Sequence, residues 1–361
     1  MPWGKARAVV WAWLVWTALP LGQAPGAQTA GGPEFVYGKR YAMGTVYEIV
    51  AYGPSLDRTS RALDAAFAKI AELDRMLSNY DAQSDLRSME RAARFRGARV
   101  PRDLYRVIEA SLVYSRLSGG QYDITVAPLV DLWKSALREG QAPSAARLEQ
   151  LRACVGYRKI QLIPPDEISL RSDCLRLDLG SIGKGYAVDR AVEILRAAGI
   201  RNALVNAGGS TAYGMGAPPG RKGWTIRLND PAEQVVPEVT LQENSVSTSG
   251  QETNSLIFAG EFGHIIDPRT ARPARRDFTV SVIARTATAS DGLSTTLYLL
   301  GPEAGTRVVN RLPGTAALWV SAKGETRLAS SGPKIVISRP RLLTDNAAEA
   351  PRERPEASVK R

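Results

Sequence analysis

The chain has 361 residues, 44% of them hydrophobic, which is enough apolar material for one large core or two small ones and excludes a disordered polymer. Its formal charge is +11, yet Lys5 and Arg7 belong to an N-terminal leader and the tail from Pro340 is nearly balanced. The remaining surplus is scattered, which excludes the basic stripe with interleaved aromatics of a nucleic-acid binder and suits an anionic substrate.

Lys5 and Arg7 precede an apolar run from Ala8 to Leu21, which gives way to Pro25 and the small residues Ala24, Gly26, Ala27 and Ala30. The run is shorter than the roughly 20 residues that span a bilayer. Residues 1–30 therefore read as a secretory signal cleaved near Gly26 to Ala30, with a retained anchor as the competing reading. The expected destination is the periplasm, with or without attachment to the inner membrane. No cysteine follows the run, so a lipoprotein anchor is not expected.

Phe35 to Ala51 alternates like a strand, and Thr59 to Leu77 places Leu63, Phe67, Ile70, Leu73 and Leu77 on one helical face. Leu104, Val107, Ile108 and Leu112 mark a second helix. Strands are predicted at Lys159 to Ile163, Ile168 to Leu170 and Leu175 to Leu179, then a helix at Tyr186 to Ala198. Further strands fall near Ala203 to Asn206, Trp224 to Leu228, Val246 to Thr248 and Phe278 to Ile283. A helix from Ser290 to Leu300 and strands near Ala316 to Val320 and Lys334 to Ile337 complete the body. Helices and strands mix without regular alternation, so the class is α+β, in a single domain over residues 34–339, and residues 340–361 form a solvated, disordered tail. Cys154 and Cys174, the two cysteines, flank two strand-like runs. A disulfide across that hairpin and two buried thiols both remain open; zinc is excluded, because neither has a His or second Cys at ligand spacing.

Candidate chemistry sits at element ends. Asp178-Leu-Gly-Ser-Ile-Gly-Lys-Gly-Tyr runs from an apolar strand through a glycine-rich turn into a helix. Such a turn offers N–H groups to an anion or simply makes a tight connection. The strict phosphate loop needs a glycine at Asp178 and a Ser or Thr at Gly185, so a nucleoside triphosphatase is excluded. Asp291 and Thr295, four apart at the start of a helix, could meet one hard cation, and a plain helix-end Asp is the alternative. His264, the only histidine, lies in a turn-forming run, as a structural donor or as a base. No Gly-x-Ser-x-Gly elbow is present, against a hydrolase triad.

In order and spacing, eight segments resemble the ApbE family of FAD:protein FMN transferases. They are Met43-Gly44-Thr45; Leu77-Ser78-Asn79-Tyr80 with Ser84 and Leu86; Gly120-Gln121-Tyr122-Asp123-Ile124-Thr125-Val126; and the Asp178 stretch. The others are Val205-Asn206-Ala207-Gly208-Gly209, Ser247-Thr248-Ser249-Gly250, His264-Ile265-Ile266-Asp267-Pro268-Arg269-Thr270, and Ala289-Ser290-Asp291-Gly292-Leu293-Ser294-Thr295. This resemblance implies an ApbE-like, T-fold-like domain with mixed and antiparallel sheets flanked by helices. It implies an enzyme that binds FAD and Mg²⁺ and moves FMN to a threonine hydroxyl of another protein, releasing AMP. Met43, Tyr80, Gln121, Tyr122, Asp123, Asp178, Lys184 and Ile266 match dinucleotide-binding positions. Ser181, Asp291, Ser294 and Thr295 match metal positions, and His264 or Asp291 would serve as base. The acceptor implied is an electron-transport subunit or a regulator of nitrous oxide reduction carrying an Asp-Gly-x-Ser/Thr-Gly-Ala-Thr/Ser motif. An FAD pyrophosphatase and a non-catalytic flavin-binding protein of the envelope are the alternatives. The chain departs from the family at Ser181 and Gly183, where Gly and Ala are common, and at Ser210, Gln251 and Ala271.

Overall fold

The computed structural model describes residues 34–228, 237–250, 265–332 and 337–338. The expected leader, the tail, His264 and the start of the Lys334 strand lie outside the described residues.

In chain order the elements are β1 (Glu34–Ala42), β2 (Thr45–Gly53), α1 (Leu56–Leu77), α2 (Asp85–Ala92), β3 (Ala98–Arg99), α3 (Arg102–Leu117), α4 (Ala127–Glu139) and α5 (Ala145–Arg152). Then follow β4 (Ile160–Ile163), β5 (Glu167–Leu170), α6 (Gly183–Ala197), β6 (Asn202–Ala207), β7 (Thr211–Met215), β8 (Trp224–Arg227), β9 (Glu238–Leu241) and β10 (Asn244–Ser249). The remainder are β11 (Ile266–Asp267), β12 (Arg272–Pro273), β13 (Phe278–Ala284), α7 (Ala287–Val309), β14 (Thr315–Ser321), β15 (Thr326–Ser331) and β16 (Ile337–Ser338).

An eight-stranded antiparallel sheet, in the order β1-β2-β6-β7-β10-β13-β14-β15, is the frame of the α+β domain. Alternate residues of each strand enter different cores, as the period of two requires. Tyr47, Ile49 and Ala51 of β2, with Ala317 and Trp319 of β14, pack under α1, α6 and α7. Val50 of β2, with Ala316, Leu318 and Val320 of β14, packs on the opposite face against Trp224, Val239 and Leu241 of the small sheet β16-β9-β8. A third cluster joins α4, α5 and the β11–β12 pair, where the Trp133 indole donates to the Ala271 carbonyl at 2.8 Å. The helical stripe Leu63, Phe67, Ile70, Leu73 and Leu77 is buried along α1, as its spacing predicts.

Several expectations change. The single strand from Phe35 to Ala51 is two strands, because Met43 and Gly44 both take positive φ, +49° and +76°, and turn the chain back on itself. Leu175 to Leu179 forms a single bridge and no ladder. Arg176 bridges Val126, while the N–H groups of Leu177 and Asp178 go to the Glu90 side chain and the Ile124 carbonyl. The helix predicted from Tyr186 begins at Gly183, and the one from Ser290 begins at Ala287 and breaks at Gly301 before Pro302. Of the two cysteine readings, the disulfide Cys154–Cys174 is the one formed.

Candidate active site

One end of the large sheet collects the turns and helix ends on which nearly all the candidate residues sit. At that end β1 turns into β2 at Met43, β6 into β7 at Gly208-Gly209, and β10 finishes at Ser249. Helix α6 starts there, and the first turns of α7 pass beside it.

Asp291 is the centre of this region. It is 4% exposed, and its carboxylate accepts from the Gly185 N–H at 2.8 Å and from the hydroxyls of Ser247 at 3.2 Å and Thr211 at 3.3 Å. Burial pushes its pKa up, while the Lys184 ammonium, the Gly185 N–H and the two hydroxyls pull it back. Ser294 donates to the Asp291 carbonyl at 2.9 Å and meets Ser249 at 2.8 Å, and Ser249 lies 3.3 Å from Thr295. Asp291, Ser294 and Thr295 thus share one face of α7 within a shell of hydroxyls from β7 and β10.

Helices α6 and α7 come close enough for this only because position 185 has no side chain. A Cβ there would lie 2.2 Å from the Ala287 carbonyl oxygen and 2.6 Å from the Asp291 Cβ. The contact is doubled one turn further on. The Asp189 carboxylate of α6 accepts from the Ala287 N–H at 2.7 Å, the Thr288 N–H at 2.8 Å and the Thr288 hydroxyl at 2.5 Å, closing the N-terminus of α7.

The glycine turn behaves mainly as a tight connection. Gly180 N–H goes to Asp178 at 2.8 Å, the N–H groups of Ile182 and Gly183 both go to the Leu179 carbonyl, and Gly185 N–H goes to Asp291. Those four groups are spent inside the protein, so the expected amide cradle is mostly closed. The same bonds release an acceptor. A continuous helix would give Gly185 N–H to the Ser181 carbonyl, which instead accepts no hydrogen bond among the described residues. The Ser181 hydroxyl donates to the Tyr122 hydroxyl at 2.9 Å, and Lys184 rests its ammonium on the Gly180 carbonyl at 3.2 Å.

The oxygen atoms gathered on α7 suit a hard cation: one carboxylate with the Ser294 and Thr295 hydroxyls, to which the start of α6 could add the Ser181 carbonyl. No group of three or more His, Cys, Asp or Glu side chains occurs among the described residues. A site with one carboxylate leaves most coordination positions to water and substrate phosphates, as Mg²⁺ prefers.

The other candidates lie on several elements. The Tyr47 hydroxyl, fully buried, donates to the Met43 sulfur at 3.2 Å; burial raises its pKa, and the nearby Asp291 charge raises it further. Tyr122 is buried with its ring edge-on to Tyr114. Asp123 spends both oxygens on Thr125 and the Tyr157 N–H, so it shapes its loop; Gln121 is half-buried in the same loop. Tyr80, 86% exposed, follows α1 and meets the Lys134 ammonium at 3.0 Å. Ile266 is buried in the α4 cluster and touches none of the Asp291 group in the contacts described. Sequence reasoning did not single out Thr211 or Asp189. A carboxylate inside an amphipathic helix, as at position 189, was the available signal. A cavity of about 330 Å³, lined by Asp189, Arg190, Glu193, Arg196, Glu243 and Arg285, opens beside α6. It includes none of the predicted site residues.

The profile of the ApbE family matches residues 43–319. The chain is 29% identical over 300 residues to the FAD:protein FMN transferase of Treponema pallidum, covering 78% of this chain and 82% of that protein. It is 28% identical over 298 residues to the enzyme of the same name from Escherichia coli, covering 79% and 83%. The solved flavin transferase ApbE of Vibrio cholerae superposes with a TM-score of 0.72 at 25% identity, covering 83% of this chain and 98% of that one. The ApbE protein of Thermotoga maritima gives 0.74 at 26%, covering 82% and 97%. With the profile match running from the β1–β2 turn to β14, the chain belongs to the ApbE family.

Proposed function

We propose that this protein transfers the FMN half of FAD to a threonine hydroxyl of an acceptor protein, with Mg²⁺ as cofactor and AMP as the leaving product. The observation that carries this reading is the buried Asp291 carboxylate, ringed by hydroxyls at the start of α6 beside Lys184. That arrangement suits a metal-bound diphosphate.

In the reaction the threonine oxygen bonds to the phosphorus on the riboflavin side of the pyrophosphate, and the bond from that phosphorus to the bridging oxygen breaks, releasing AMP. Lys184 leaves the Gly180 carbonyl to pair with phosphate oxygens, where negative charge builds as the bond breaks. Asp291, Ser294, Thr295 and the Ser181 carbonyl would hold Mg²⁺, which when bound supplies charge neutralisation on the diphosphate. Met43 and Tyr80 offer flat apolar and aromatic contact to the flavin and adenine rings. His264 or Asp291 takes the threonine proton. The acceptor carries an Asp-Gly-x-Ser/Thr-Gly-Ala-Thr/Ser segment, and export by residues 1–30 would place the reaction in the periplasm.

Mass spectrometry after incubation with FAD, Mg²⁺ and a peptide bearing that motif tests the proposal. Covalent gain of FMN on the peptide is expected. Free FMN without peptide modification means water is the acceptor, and intact bound FAD means a carrier; either result rejects the transfer reading.

A further inference from the structure

Strand β1 is an outer strand of the large sheet and, among the described residues, pairs only with β2. Ala42 and Thr45 face each other across a two-residue turn, so they form the hydrogen-bonded pair beside it, and Arg40, Gly38 and Val36 repeat that pairing. Phe35, Tyr37, Lys39 and Tyr41 therefore direct their backbone N–H and C=O groups away from β2, to the open edge. Their side chains share the face opposite α1, since the intervening Gly38 and Arg40 lie against Phe67.

That face is aromatic and apolar around one charged cross-strand pair of positions, Lys39 and Glu48, where the Tyr37 hydroxyl donates to Glu48 at 2.6 Å. Phe35, Tyr37 and Tyr41 are 45%, 48% and 76% exposed, and Val46, across from Tyr41, is 40% exposed. The small sheet covers it only at the end far from the turn, where Tyr52 meets Trp224 with ring centres 6.1 Å apart. Edge strands are ordinarily blunted by charged side chains, proline, a bulge or a covering loop. The nine residues of β1 contain no proline and run in unbroken register with β2; the charge they carry, Lys39 and Arg40, disfavours pairing with a second copy and suits an acidic partner.

The strand ends at Ala42 and runs into the turn at Met43, whose sulfur accepts from the Tyr47 hydroxyl, itself within the field of Asp291. A chain laid along β1 is thereby delivered to the oxygen cluster. We infer that the acceptor polypeptide docks by adding as an extended strand to the open edge of β1, with its acidic motif residue near Lys39. This rests on the transfer reading above. Alternating donors and acceptors at strand spacing are satisfied by an extended polypeptide and by no small ligand.

The test uses the full chain and a synthetic peptide carrying Asp-Gly-Ile-Ser-Gly-Ala-Thr with flanking residues. Hydrogen exchange of the backbone amides of residues 35–41 should slow when the peptide is added. Lys39→Pro removes one outward N–H without touching the β2 ladder. It should abolish that slowing and raise the KM for the peptide about tenfold, with kcat and FAD affinity unchanged. Tyr41→Ser, which leaves the backbone intact, should raise the same KM in the same direction. Absence of slowing in the unmodified protein overturns the inference, as does an unchanged KM in both variants. Edge amides already protected without peptide, and exposed in a chain starting at residue 34, would make the leader the occupant and overturn it too. Slowing without any FMN transfer rejects the transfer reading and leaves the docking strand standing.

Discussion

Asp189 and Asp291 each close the N-terminal turn of the helix that carries the other. Asp189, on α6, takes the first two N–H groups of α7, and Asp291, on α7, takes the Gly185 N–H of α6. Unpaired amides at a helix start are partial positive charges, so two reciprocal carboxylates fix both the separation and the register of the pair. The residue at the centre of the proposed chemistry is thus held by a structural lock, of which Asp189 is the positioning half.

Asp189→Ala leaves two amides and a hydroxyl without a buried acceptor, at a cost of roughly 1–3 kcal/mol in stability. The melting temperature should fall, and kcat should fall further than the loss of folded protein explains, because the register of Asp291 is released. Denaturation midpoints and turnover of the still-folded fraction check this. A normal kcat in that fraction would remove Asp189 from the positioning role.

Gly185→Ala should be worse than an ordinary helix substitution that improves propensity. The added methyl meets the Ala287 carbonyl and the Asp291 side chain well inside contact distance, and backbone cannot yield as a flexible side chain would. The helices must part, costing about 1–3 kcal/mol for overpacking, with transfer lost. Stabilisation by the substitution, measured in urea, would contradict the described approach.

Asp291→Asn keeps the shape of the side chain and removes its charge. Turnover should drop about a hundredfold or more. Stability without metal should hold or rise, since burial disfavours the carboxylate. Added Mg²⁺ should raise the melting temperature of the unmodified protein and leave that of the variant in place. Equal Mg²⁺ stabilisation of both would take the ion away from Asp291.

Asp267 gives a pH dependence of defined sign. Burial works to raise its pKa, but the Arg269 guanidinium and N–H, with Arg276 further off, hold it below the ordinary carboxylate value of 3.8. The resulting stabilisation is present above 3.8 and is lost as pH falls through the lower folded value. Asp267→Asn should therefore destabilise the protein at neutral pH, and the difference should fade in acid. A difference that grows on acidification would reverse the assignment.

The long apolar stripes were legible because burial dictates their spacing: α1, α3 and most strands of the large sheet fall where the periodicity puts them. Short capped elements were not. α2 and α5 start at Ser84 and Ser144 caps, but eight residues carry too little pattern to outweigh a loop reading. β7 is buried at every position, so it has no alternation to find, and the β1–β2 turn uses Met43 where a hairpin signal would call for Asn or Gly. In the site, Asp291 and Thr295 announced themselves by helical spacing, and Ser294 only by the family resemblance. Thr211 and Asp189 did not, because their roles come from tertiary approach across 80 and 98 residues of sequence.

If the diphosphate of FAD is cleaved between Lys184 and Asp291, a crystal structure of the protein with FAD and Mg²⁺ will show the pyrophosphate beside Lys184, with the ion bound by Asp291, Thr295 and the Ser181 carbonyl. Pyrophosphate found instead in the cavity lined by Arg190, Glu193, Arg196, Glu243 and Arg285, or anywhere else away from Asp291, would rule out cleavage there.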